Sequence, residues 1–113
     1  MGMEEFRSYM NALEVLSEEI EASPEFKLVA GAMNRPEMLH RFNLHRAMVN
    51  LLHFVTVHMM RADAQDYDGE SERWILGALD QASEEIRNGL TRPLPVEARH
   101  LAERSLKLSN QIL

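Results

Sequence analysis

Apolar residues return every three or four positions along most of this chain, the spacing of a helix that buries one stripe. In the first segment, about residues 4–22, Phe6, Met10, Leu13, Leu16 and Ile20 form that stripe and Glu14, Glu18 and Glu21 lie across from it. Ser23-Pro24-Glu25 ends it and opens a short second segment, about 24–33, with Phe26, Val29, Ala30 and Met33 on one face. The signature is a serine cap, a proline in the first turn and an acid beside the positive helix end. Asn34-Arg35-Pro36-Glu37 repeats it and starts a long third helix over about 36–63. The fourth runs over about 70–88, with Ile75, Ala78, Leu79, Ala82 and Ile86 inward, and Gly89 is placed to take a left-handed cap. TRPLP leads into the fifth, about 95–112, whose apolar arc holds Ala98, Leu101, Leu108 and Ile112. No segment alternates with the period of a strand. The expected fold is all-α: an antiparallel bundle of four long helices plus one short connecting helix, spanning residues 1–113 as a single domain, alone or within a larger parent.

The third helix departs from the pattern of the others. It is apolar around roughly two-thirds of its circumference, more than one neighbouring stripe covers. It is therefore either central in the bundle or used in a subunit contact. Val15, opposite the first helix's stripe, and Trp74, at the edge of the fourth's, add apolar area outside the expected core. With Met48, Met59 and Met60 they make the candidate interface.

Composition narrows the classes of partner. A net charge of −6 leaves no basic face to neutralise phosphates, so nucleic acid is not an expected partner. There is no cysteine, which removes disulfides, thiol nucleophiles and thiolate metal sites. No basic region precedes an apolar run at the N-terminus, and AMVNLLHFVTVHMM is too short to span a bilayer. A soluble cytoplasmic protein without direct membrane insertion is the expectation.

Candidate chemistry centres on the histidines of HRFNLHRAMVNLLHFVTVHMM. At about 1.5 Å per residue His40 and His58 sit about 27 Å apart, and no pair has the three- or four-residue spacing that grips one ion. His53 falls with Arg46 and Asn50 on a polar stripe, whereas His45 and His58 fall among leucines and are expected inward. Glu-x-x-His occurs twice, at Glu37/His40 and Glu97/His100, as in ferritin-like bundles that build carboxylate-bridged metal sites. Those bundles aim every ligand inward. Here Glu97 and His100 share a face with Arg104 and Lys107, Glu84 faces out and Glu85 is marginal. Glu37 and Glu97 are also accounted for as first-turn acids. DAQDYDGESE fails as an EF-hand: with Gly69 at the sixth position, Ala64 stands first and Ile75 twelfth. It reads instead as a turn with Asp68 or Ser71 capping the next helix. His53 lacks the small and basic neighbours a phosphotransfer histidine needs.

These features rank three functions. The first is a non-enzymatic protein–protein interaction module with no cofactor, its partner being a second copy of itself. The second is a metal- or small-cofactor-binding bundle using Glu37, His40, Glu97 or Glu85, and His100. The third is a pH-responsive switch using His45 and His58.

Overall fold

The structure is a computed structural model that describes residues 3–26 and 34–112. It is an all-α bundle of four helices: α1 (Met3–Ala22), α2 (Arg35–Ala64), α3 (Gly69–Gly89) and α4 (Val96–Ile112). A 3₁₀ turn at Pro24–Phe26 follows α1, and the remainder of the expected second segment, 27–33, lies outside the described residues. No strand occurs among the described residues.

The helix starts follow from side chains that compete well for orphan N–H groups. Asn34 is extended and its Oδ1 accepts from the Glu37 N–H at 2.9 Å, with Pro36 in the first turn. Asp68 caps α3, accepting from the Ser71 N–H at 2.7 Å and from its hydroxyl at 3.0 Å. Those two bonds, the backbone one first, hold the Asp68 carboxyl below its ordinary 3.8. A depressed carboxylate stabilises the fold above its unfolded value and loses that contribution as pH falls through the lower folded value. In Asp68→Asn the cap persists and no longer titrates. Stability measured between about pH 5 and 2 is therefore expected to fall less steeply for this variant than for the parent.

The helix ends were read less well. Gly89 does not take a left-handed cap: it continues α3, and Leu90 ends the helix in right-handed geometry. Its lack of a side chain serves packing instead, since a Cβ there would stand 3.0 Å from Leu44 Cδ1. Gln65, at φ 56°, is the left-handed residue, and its N–H closes α2 on the Ala62 carbonyl.

α2 is the centre of the bundle, packed against α1, α3, α4 and the 3₁₀ turn. Across the α2–α3 pair Leu44 meets Gly89 and Phe54 meets Trp74, and His58 meets Tyr67 just before α3, so these two helices run in opposite senses. The core joins Leu13, Leu16 and Ile20 of α1, a row from Leu44 to Met59 on α2, and Ile75, Leu79, Ala82 and Ile86 of α3. Of the expected arc of α4, Ala98 and Leu101 are buried. Its most buried positions are Ala98, Ala102, Ser105 and Ser109, while Leu108 is only half-buried. Small side chains bring its backbone close to its neighbours. The Ser105 hydroxyl donates to the Leu101 carbonyl at 2.8 Å, which satisfies it within the helix. One ion pair, Arg104 with Glu19, ties α4 to α1 across the surface.

Candidate functional site

The buried row of α2 covers only one side of the helix. Leu44, Ala47, Met48, Leu51, Leu52, Val55 and Met59 face the bundle. At 100° per residue the opposite side is occupied by Leu39, Phe42, Arg46, Val49, His53, Thr56 and Met60, within an arc of about 100°. Their spacing alternates three and four, the interval of a helix seam that meets another helix. The apolar members stand in solvent: Leu39 is 50% exposed, Phe42 47%, Val49 41% and Met60 53%. Even the Thr56 hydroxyl is satisfied internally, donating to the Leu52 carbonyl at 2.8 Å, so it requires nothing of a partner.

Two shallow grooves flank this seam and share His53. Towards α1 the groove is walled by Ser17, Ile20 and Glu21 against Val49, Leu52 and Thr56. Towards α3 it is walled by Phe54, Val57 and Arg61 against Ser71, Trp74 and Ile75. Trp74 is 67% exposed and rests edge-on against Phe54, ring centres 5.6 Å apart. Seam, grooves and tryptophan make one continuous face.

The residues expected at an interface divide on this geometry. Met60 lies on the seam and Trp74 beside it. Met48 and Met59 belong to the core, at 0% and 3% exposure, because they fall on the bundle side of α2. Val15 is exposed on α1, on the side away from Leu13, Leu16 and Ile20. Leu39, Phe42 and Val49 were not singled out from the sequence. The signal that finds them is the alternating interval itself, read on the side opposite the buried row.

The metal-type residues are dispersed. Among the described residues no three His, Asp or Glu side chains gather to hold a metal ion. Glu37 is exposed and paired with Arg41 at 3.6 Å, and Glu97, His100 and Glu85 are exposed. His40 is half-buried, and its Nε2 is a buried atom with no hydrogen-bond partner. The other histidines have ordinary surroundings. His45 packs on the Phe26 ring at 5.4 Å, and His58 Nδ1 lies 3.0 Å from the Tyr67 hydroxyl. Both are half-buried, with the Phe26 and Tyr67 rings against them from segments outside the long helices. His53 is exposed, as its polar stripe implied.

No family model matches the chain, no curated protein is significantly similar to it in sequence, and no solved structure matches it. Among the described residues no helix is long and apolar enough to cross a membrane.

Proposed function

We propose that the protein is a non-enzymatic self-association module that pairs with a second copy of itself through the outer seam of α2. The observation that carries this reading is the exposure of Leu39, Phe42, Val49 and Met60 along one three-four seam, shared with Arg46, His53 and Thr56, on the helix already central to the core. A row of large apolar groups in water is unfavourable, and closing it removes that surface from solvent.

A second copy is favoured as the occupant because the seam is complementary to itself. Two α2 helices crossing in opposite directions about a two-fold axis near Val49 and Asn50 place Leu39 opposite Met60, Phe42 opposite Val57, and Arg46 opposite His53. Apolar positions then meet apolar ones and polar positions meet polar ones, except at the axis itself, where Val49 faces Asn50. Trp74 borders each half of such a contact, where a large amphipathic ring is favoured.

Sedimentation velocity over a broad concentration range tests the proposal, with the single tryptophan as an optical reporter. Dimers are expected, and Trp74 emission is expected to shift to the blue as they form. Val49→Glu should raise the dissociation constant at least about 30-fold, the effect of about 2 kcal/mol at the centre of an interface. Val15→Glu, away from the seam, should leave it unchanged. A monomer at every concentration overturns the proposal, as does a dimer indifferent to Val49→Glu.

A further inference from the structure

We propose that the cleft between the first half of α2 and the end of α3 binds a small oxyanion-bearing molecule, held by Arg46 and Arg92 with His40 Nε2 as a third contact. The cleft has a volume of about 670 Å³ and is lined by His40, Asn43 and Arg46 from α2, Glu85 and Asn88 from α3, and Arg92 from the turn beyond. That volume lies in the range of small-molecule sites, and the polar lining suits a charged ligand.

The charge balance is what makes this cleft unusual. The chain carries a net charge of −6, yet two guanidinium groups and one carboxylate face this space. Of the ten arginines, only Arg41 (with Glu25 and Glu37) and Arg104 (with Glu19) form ion pairs among the described residues. Among the described residues neither Arg46 nor Arg92 has a carboxylate within ion-pair distance, although Glu85 shares the cleft with both. Planar guanidinium groups match the oxygens of phosphate and carboxylate in pairs.

The turn that carries Arg92 is fixed. Its N–H donates to the Gly89 carbonyl at 3.3 Å, and the Arg99 guanidinium donates to the Leu90 and Arg92 carbonyls at 3.2 and 3.1 Å. His40 lines the same cleft, and its Nε2, buried and without a partner, meets a ligand oxygen once the imidazole turns toward the space. A buried polar atom without a partner is costly, and a ligand oxygen would supply one.

The ionisable groups around the imidazole are Glu37 and Arg41 on its own helix, with Arg46 one face further along, Glu85 on α3, and Arg92 on the turn. Burial first, then Arg92 and Arg41, hold His40 below its ordinary 6.5. It is therefore neutral at pH 7, and its ring N–H can donate to an anion. A bound anion offsets the two guanidinium groups and raises the His40 pKa, so binding has a signature independent of heat or mass.

The test is calorimetric titration at constant ionic strength with pyrophosphate and, separately, with citrate, alongside nitrogen-15 NMR of the histidines. Saturable binding is expected, with the His40 resonances displaced and its titration moved to higher pH. Arg92→Gln should weaken binding about tenfold or more while leaving the circular dichroism and melting temperature unchanged. Preference for pyrophosphate identifies a phosphate ligand and preference for citrate a carboxylate. Failure of both probes to saturate overturns the proposal, as does binding that is equally tight in Arg92→Gln or that leaves His40 unmoved. Arg46 and Leu39 are shared with the α2 seam and Arg92 is not, so Arg92→Gln tests the cleft without altering the self-association surface, and the same titration on Val49→Glu separates the two proposals.

Discussion

Leu51→Ala is expected to destabilise the fold by about 3–4 kcal/mol, the upper range for truncating a fully buried leucine. Leu51 is completely enclosed, midway along the helix that touches every other helix. Two costs add: the lost transfer of its methyl groups from water, and a cavity that the rigid surroundings only partly close. Neighbours on α1, α3 and α4 converge on α2, so no single helix can move inward to fill the space without losing contacts to another. In urea the midpoint should fall by about 2 M with the slope unchanged, given slopes of about 1–3 kcal/mol per molar for small domains. Phe42→Ala, on the opposite side of the same helix, is the natural comparison. Phe42 is 47% exposed, so its loss should change monomer stability by about 0.5 kcal/mol or less. Two large apolar residues nine positions apart thus separate folding from association. A similar loss from both substitutions would mean that the outer seam is part of the core after all.

That division of α2 also marks how far its sequence could be read. The amount of apolar surface was evident, because leucines, valines and methionines occupy most of the wheel. Which side faced inward depends on where α1, α3 and α4 pack, and no local pattern encodes that. Met48 and Met59 illustrate the difficulty: chemically identical to Met60, they lie in the core while Met60 is half exposed. Starts of helices were legible for a more local reason. Asn34 and Asp68 each cap through an oxygen reaching an N–H three residues on, an interaction that needs nothing distant. Gly89 was misjudged because a glycine after a helical run has two uses, a left-handed cap or close approach, and Leu44 decides for the second from 45 positions away. The cleft beside His40 was invisible for the same reason. His40 and Asn43 are neighbours on α2, but Asn88 and Arg92 join them only when α3 folds back.

α4 gives the second large effect: Ala102→Leu is expected to cost about 2–3 kcal/mol. A hydropathy reading favours this substitution, since it adds an apolar group to a helix whose buried face holds mainly alanine and serine. The structure opposes it. Ala98, Ala102, Ser105 and Ser109 form the contact line of α4, and all four are at most 1% exposed. Neighbouring side chains already close over these small residues, so three more carbon atoms must displace those neighbours. Accommodating them requires an off-rotamer side chain or a displaced helix, and α4 is also held at its surface by the Arg104–Glu19 pair. Ala102→Ser is the control, since a small hydroxyl there can donate to the carbonyl four residues back as Ser105 does. It should cost about 1 kcal/mol or less. If thermal unfolding instead places Ala102→Leu at or above the parent, α4 is packed more loosely than these contacts require. The serines at 105 and 109 would then be buried by chance of position rather than by close approach. The contrast between leucine and serine at one position measures the spacing of the helices directly, which neither the polarity of α4 nor its length reveals.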